Sequence, residues 1–214
     1  PTVLEVRNMN SGNMVKNVSF KLRKGEILGF AGLMGAGRTE LARAIYGADE
    51  FDSGEVFING KKVKIRTPES AVKHGICYLS EDRKQYGLLL IKSVAENSVL
   101  ASLDDYIKFG WINDAKAKKA AEEVNKKLRT KTPSMDQLLK NLSGGNQQKV
   151  IVARWLLKNS DIFIFDEPTR GIDVGAKSEM YDLMEELAAQ GKSIIMIPSE
   201  LSEIQRLSDR VIVM

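Results

Sequence analysis

Cysteine and histidine are almost missing from this chain, with Cys77 and His74 the single examples in 214 residues. One cysteine excludes an internal disulfide and suits a reducing compartment. Within Gly75-Ile-Cys-Tyr-Leu79 it reads as a small core residue rather than a nucleophile. One histidine and one cysteine are too few for the common zinc patterns, so a metal role for His74 is not expected. No apolar run approaches the roughly 20 residues that span a bilayer, and no basic, then apolar, leader opens the chain. The expectation is a cytosolic character. Aromatic residues make up 7%, and none precedes Phe20. The charge excess is small, +4 with a pI near 9.1. Part of it comes from Lys116 to Lys131, which has no interleaved aromatics. That stretch reads as a solvated helix face, and no nucleic-acid partner is expected. With 43% hydrophobic and 28% charged residues, disorder is excluded as well.

What is present is a glycine loop. Gly32-Leu-Met-Gly-Ala-Gly-Arg38-Thr39 fits the phosphate-loop pattern G-x-x-x-x-G-K-[ST] at every required position except Arg38, where lysine is usual. Gly25 to Ala31 before it is apolar enough for a buried strand, and Thr39 to Tyr46 after it has helical spacing. In such a strand, loop and helix the backbone N–H groups curl inward toward phosphate oxygens. The helix adds its positive end, and the Thr39 hydroxyl is placed to reach Mg²⁺.

The rest of the chain alternates. Val3–Arg7, Val15–Leu22 and Glu55–Ile58, the last turning at Asn59-Gly60 into Lys61–Ile65, predict a small antiparallel layer with a hairpin. Ile76–Leu79, Asp161–Phe165, Ser193–Ile197 and Arg210–Val213 read as parallel strands buried on both faces. Between about residues 85 and 158 the pattern is nearly all helical. Thr67-Pro68-Glu69 starts a helix and Gly191 stops one. The chain begins at Pro1 and ends in a strand-like run, and is expected to be part of a longer protein.

Two further motifs carry chemistry. Ile162-Phe-Ile-Phe165 ends in Asp166 and Glu167, which places two carboxylates at the carboxyl edge of a sheet. There Asp166 can hold a metal while Glu167 orients or deprotonates a water. Leu142-Ser-Gly-Gly-Asn146 precedes the apolar-periodic segment Gln147–Leu157, so Ser143, Gly144 and Gly145 form a second open helix start able to bind an anion.

With these three ordered motifs the chain resembles the ATPase domain of ABC transporters, over essentially its whole length. More narrowly, Gly32 to Glu40, Tyr78-Leu-Ser-Glu-Asp-Arg-Lys84, Leu142 to Lys149 and Asp166 to Asp173 are similar to the second, C-terminal of two fused ATPase domains in bacterial ribose, galactose or xylose importers. The resemblance implies an α/β fold of the P-loop NTPase type, a RecA-like parallel-sheet core with an antiparallel β layer and a helical subdomain insertion. It implies one domain over 1–214. About 1–84 and 159–214 would form the β layer and ATP-binding core, and about 85–158 the helical subdomain ending in the signature motif and its helix. It implies ATP and Mg²⁺ as ligands. Nucleotide contacts would come from Gly32, Gly35, Ala36, Gly37, Arg38, Thr39, Glu40, Glu81 and Ser199, metal contacts from Thr39 and Asp166, and catalysis from Glu167. Ser143, Gly144 and Gly145 would face a partner domain's ATP. The implied partners are a second ATPase domain, transmembrane permease subunits and, indirectly, a periplasmic sugar-binding protein. The implied place is the cytoplasmic face of the inner membrane, bound peripherally.

Several positions depart from the family pattern. Arg38 replaces the loop lysine, Glu81 stands where a glutamine is usual, Ser199 stands where a histidine contacts the γ-phosphate, and no ring is available to stack on adenine. All belong to the site on this chain's own loop. The set facing a partner differs only at Asn146. The expectation is asymmetric: weak ATP binding and little turnover on this loop, with an intact signature serving another. A non-transport ABC ATPase acting on ribosomes or DNA, and a non-catalytic regulatory module, are the alternatives. The Lys84–Tyr106 segment, with Leu88-Leu-Leu-Ile91, is either core or a permease-docking surface.

Overall fold

A computed structural model describes residues 1–82, 85, 87–108 and 110–214. Arg83 and Lys84 of the Tyr78–Lys84 motif segment, and Lys84 and Tyr86 of the docking segment, lie outside the described residues.

The chain divides into two compact units. The first comprises Pro1–Glu81, Asp161–Arg170 and Tyr181–Met214. Its antiparallel layer has strand order β2-β1-β4-β5, formed by β1 (Thr2–Ser11), β2 (Val15–Arg23), β4 (Ser53–Ile58) and β5 (Lys61–Val63). Asn59 and Gly60 both take positive φ, 49° and 78°, which fits the two-residue hairpin turn their types predict. The second sheet is parallel, with order β11-β3-β10-β9-β6. It comprises β3 (Ile27–Ala31), β6 (Ile76–Leu79), β9 (Ile162–Asp166), β10 (Ser193–Ile197) and β11 (Arg210–Val213).

β3, β9 and β10 are buried at every residue, as their unbroken apolar runs require. β11 is not. It pairs with β3 alone and alternates between half-buried and exposed, so the expectation of burial on both faces fails at this edge. One apolar cluster joins the two sheets, from Leu4, Phe20 and Leu22 to Phe30, Ile164 and Ile195. Helix α1 (Arg38–Tyr46) follows β3, and α2 (Pro68–Lys73) is capped by Thr67, whose hydroxyl accepts from the Ser70 amide. Cys77 is buried, and His74 closes α2 with Nδ1 on the Ser70 carbonyl.

The second unit comprises Asp82–Ser160 and Gly171–Met180. It holds α3 (Val94–Val99), α4 (Asp114–Lys127), α5 (Gly144–Leu157) and the first turns of α6 (Val174–Ala189). The nearly all-helical expectation needs correction, because β7 (Ile107–Lys108) and β8 (Trp111–Ile112) form a short hairpin turned at Gly110, φ 81°. Ala117, Ala121 and Val124 of α4 are buried while its lysines face solvent, which accounts for the basic stretch as a solvated face. On α5 the buried Arg154 guanidinium donates to the carbonyls of Gly87 and Asn97 and to Asn97 Oδ1. Asn97 in turn holds the backbone N–H and C=O of Leu89. Within the Leu88–Ile91 run, Leu88 is 7% exposed and belongs to the core, whereas Ile91 is 78% exposed. Helix α7 (Leu201–Leu207) lies in the first unit. Among the described residues no helix is long and apolar enough to cross a membrane.

Candidate functional site

The parallel sheet delivers four loops to one edge, because all its strands run the same way. The carboxyl end of β3 leads into the glycine loop and that of β6 into Glu81. β9 ends at Asp166 and runs on into Glu167, and β10 leads into Ser199. Ligands of open α/β sheets bind at this edge.

In the glycine loop, Gly35 and Gly37 have φ of 80° and 88°. A Cβ on Gly37 would lie 2.7 Å from the Met14 carbonyl oxygen, so glycine is demanded there twice, by dihedral and by space. α1 opens directly on Arg38 with no side-chain cap, which leaves its first N–H groups available to an anion. Arg38 folds back over Gly32, its Cδ 3.5 Å from where a Cβ there would stand. Ala36 donates its N–H to the Leu33 carbonyl, and Glu40 faces solvent in the first turn of α1.

Thr39 donates its hydroxyl to Asp166 Oδ1 at 3.2 Å, and Tyr78 donates its phenol to Asp166 Oδ2 at 2.5 Å. Asp166 has no solvent exposure. Burial pushes its carboxyl up to about 6; the Tyr78 and Thr39 bonds pull it back, and the charges of Glu81 and Glu167 push it further up. Burial and the Asp166 charge in turn raise the Tyr78 phenol. Glu167 adopts φ 47°, unusual for a non-glycine residue and a local strain, with its N–H on the Ile197 carbonyl. Its carboxyl is raised first by burial and then by Glu81, against Arg170 and Arg38. Arg170 Nη1 bridges Glu81 Oε2 at 2.6 Å and Glu167 Oε2 at 3.3 Å.

Ser199 is tied in by a second network. Buried Glu203 accepts from the backbone N–H groups of Ser199 and Glu200, from Tyr181 and from the Thr169 hydroxyl, which also lies 3.4 Å from Ser199 Oγ. The structure thus brings Thr39, Asp166, Glu167 and Glu81 together and links Ser199 through Thr169. Glu40 joins none of the hydrogen bonds described.

Ser143, Gly144 and Gly145 lie in the other unit, at the start of α5. Ser143 is the N-cap, its Oγ accepting from the Asn146 amide N–H and from Asn146 Nδ2 at 2.8 Å. Gly145 is required by packing, since a Cβ there would stand 2.7 Å from Ala176 Cβ on α6. A cavity of about 270 Å³ opens beside it, lined by Ser143, Asn146, Asp173 and Lys131 among others.

Sequence reasoning missed Tyr78, Arg170, Thr169 and Glu203. Tyr78 and Arg170 stood inside quoted motifs, but only the fold shows that their polar ends converge on Asp166 and on Glu81 with Glu167.

A family model described as ABC transporter matches residues 15–170. The chain is 52% identical to a ribose import ATP-binding protein of Clostridium tetani over 99% of its length, and 55% identical to a xylose import ATP-binding protein of Thermoanaerobacter pseudethanolicus over 94%. It spans 42% and 40% of those relatives, about two fifths of their length. Among solved structures, an ATP-binding cassette of an ABC transporter in its ADP conformation superposes with a TM-score of 0.85 at 22% identity, covering 100% of this chain and 87% of that one. The glycine loop, the paired carboxylates and the Ser143 helix start therefore have the setting that their spacing implied, and the chain belongs to the ABC transporter family.

Proposed function

We propose that this chain is the ATP-binding and ATP-hydrolysing part of a monosaccharide importer. The observation that carries the reading is identity above 50% across nearly the whole chain to proteins named for ribose and xylose import. The convergence of glycine loop, Thr39, Asp166 and Glu167 on one sheet edge supports it.

The residues present fit Mg²⁺. Thr39 Oγ1 and Asp166 Oδ1, 3.2 Å apart, offer two hard oxygen donors. This is the donor set of an ion that takes its remaining ligands from water and phosphate. When bound, the ion would neutralise charge on the β- and γ-phosphates. The chain's own residues supply the rest. The loop amides and Arg38 hold the phosphates. Glu167 accepts the proton of the water whose oxygen attacks the γ-phosphorus, ADP departing with the bond electrons. Arginine grips phosphate oxygens with a planar fork but cannot place the compact ammonium charge between β- and γ-phosphates, so binding survives better than turnover. This half-site is the weaker one, and Ser143, Gly144 and Gly145 complete an active site on a partner domain's loop.

The partners in this reading are a second ATPase domain, a membrane permease and, through it, a sugar-binding protein, with the chain held peripherally at the cytoplasmic face of the membrane. The helical unit carries a groove of about 630 Å³, assigned in this reading to the permease. Leu89, Leu100, Leu103 and Leu138 line it, and Lys92, Glu96, Lys118 and Asp136 stand among its other walls. The test is parallel titration of ATP binding and phosphate release in the full-length protein with its permease, with and without sugar-loaded binding protein. Binding together with sugar-stimulated release is expected. Binding with no release in any condition refutes the enzyme reading, and release that ignores sugar refutes the importer reading.

A further inference from the structure

Three carboxylates, Glu81, Asp166 and Glu167, crowd the sheet edge where an anionic nucleotide must enter. Two of them share one cation. Arg170 Nη1 donates to Glu81 Oε2 at 2.6 Å and to Glu167 Oε2 at 3.3 Å, and its own backbone N–H bonds the Glu167 carbonyl at 3.1 Å. Arg170 therefore returns to Glu167 through both backbone and side chain, one turn after the strained φ 47° of that residue. The pair is too exposed to matter for stability, since the Arg170 side chain is 62% accessible and ion pairs of that kind contribute little. Its geometry has a different use. A glutamate at position 81 brings a negative charge toward Glu167 and toward phosphate, where a neutral amide would bring none, and the guanidinium is placed to cancel it.

We propose that Arg170 is a positioning residue: it offsets the Glu81 charge and holds the Glu81 and Glu167 carboxylates in a fixed pair, so that the site accepts a nucleotide despite the carboxylate at 81. The proposal rests on the ATP site described above. It assigns Arg170 and Glu81 to one unit, which makes their substitutions interdependent.

The experiment is a double-mutant cycle in the full-length protein with Arg170→Ala, Glu81→Gln and both together, read by affinity for a fluorescent ATP analogue and separately by phosphate release. Arg170→Ala is expected to weaken binding roughly fivefold, because the excess carboxylate then repels phosphate. Glu81→Gln in that background is expected to restore binding to within about twofold of Glu81→Gln alone, and Arg170→Lys to retain part of it. A merely structural role would couple the two substitutions in thermal stability rather than in affinity for ATP. Independent, multiplying losses overturn the proposal, as does Arg170→Ala binding like wild type. If the binding cycle is coupled but no variant, wild type included, releases phosphate, the hydrolytic reading fails while the role of Arg170 stands. If release is robust and the binding cycle additive, the reverse holds.

Discussion

The carboxylate end of the first unit and the Ser143 end of the second follow opposite rules. Around Asp166 the polar atoms are claimed internally: both carboxylate oxygens accept a hydroxyl, and Glu167 and Glu81 share Arg170. At the start of α5 the opposite holds. Ser143 Oγ accepts from Asn146, which leaves its O–H to donate, and the first N–H groups of the helix have no partner within it. Carboxylates so engaged must rearrange or recruit a cation before phosphate approaches them, which leaves the uncapped first turn of α1 as the anion-receiving part of that end. An end that exposes donors can receive phosphate as it stands. This contrast parallels the sequence, where the departures Arg38, Glu81 and Ser199 all fall in the first unit and the Ser-Gly-Gly triplet is unaltered in the second.

The sharpest way to break the comparison is to fill the open end. Ser143→Arg places a bulky cation at the N-terminus of α5 and removes the cap. We expect roughly 100-fold or greater loss of ATP turnover in the full-length protein, as when a transition-state donor is removed, with affinity for ATP on this chain's own loop kept within about threefold. Loss of both together would contradict the division of labour.

The satisfied end makes a pH prediction. Asp166 titrates near 6 in the folded chain against roughly 3.9 unfolded, so the folded state binds its proton more readily. Its contribution to stability is full below about pH 4 and is lost as pH rises through about 6, with an upper bound near 3 kcal/mol. Thermal melts without nucleotide or divalent cation should show Asp166→Asn gaining on wild type between pH 4 and 7. A gap independent of pH would mean that the buried charge is not the cost described. Next in size is Arg38→Ala, expected to weaken ATP binding about tenfold, the scale of one charge-assisted contact, and to reduce turnover less than Ser143→Arg does. Equal losses would erase the asymmetry.

How far these features could be read in advance depended on how local their cause was. The glycine loop, the Asn59-Gly60 turn and the Ser143 cap are set by neighbours in sequence, and spacing was enough to place them. The carboxylates at the end of β9 followed from an apolar run with a polar stop. Tyr78 was not legible, because a half-buried tyrosine on a strand reads as packing, and it does stack on Tyr46 with ring centroids 5.4 Å apart. Only the register of β6 beside β9 carries its hydroxyl to Asp166. Arg170 and Glu203 share that limitation, since Glu81 lies 89 residues from the first and Thr169 34 from the second. The β7–β8 hairpin was missed because two-residue strands leave no period to detect. The exposure of β11 is an edge effect that its composition does not record.

The smallest expected effect concerns the groove of the helical unit. Leu89 is half-exposed there, yet its backbone N–H and C=O are both bonded to the buried Asn97 side chain, which Arg154 of α5 also holds. The side chain is thus presented from a fixed backbone, and truncating it removes apolar contact without loosening the segment. Leu89→Ala should leave the melting temperature almost unchanged and weaken permease association by about 1 kcal/mol, roughly fivefold, as expected for a partly buried leucine at an interface. Leu90→Ala should act in the same direction. If instead the melting temperature falls by several degrees with permease affinity intact, these leucines are core, and the groove is not where the membrane subunit docks. That outcome would leave the contrast between the two ends untouched, because nothing at Asp166 or Ser143 depends on what fills the groove.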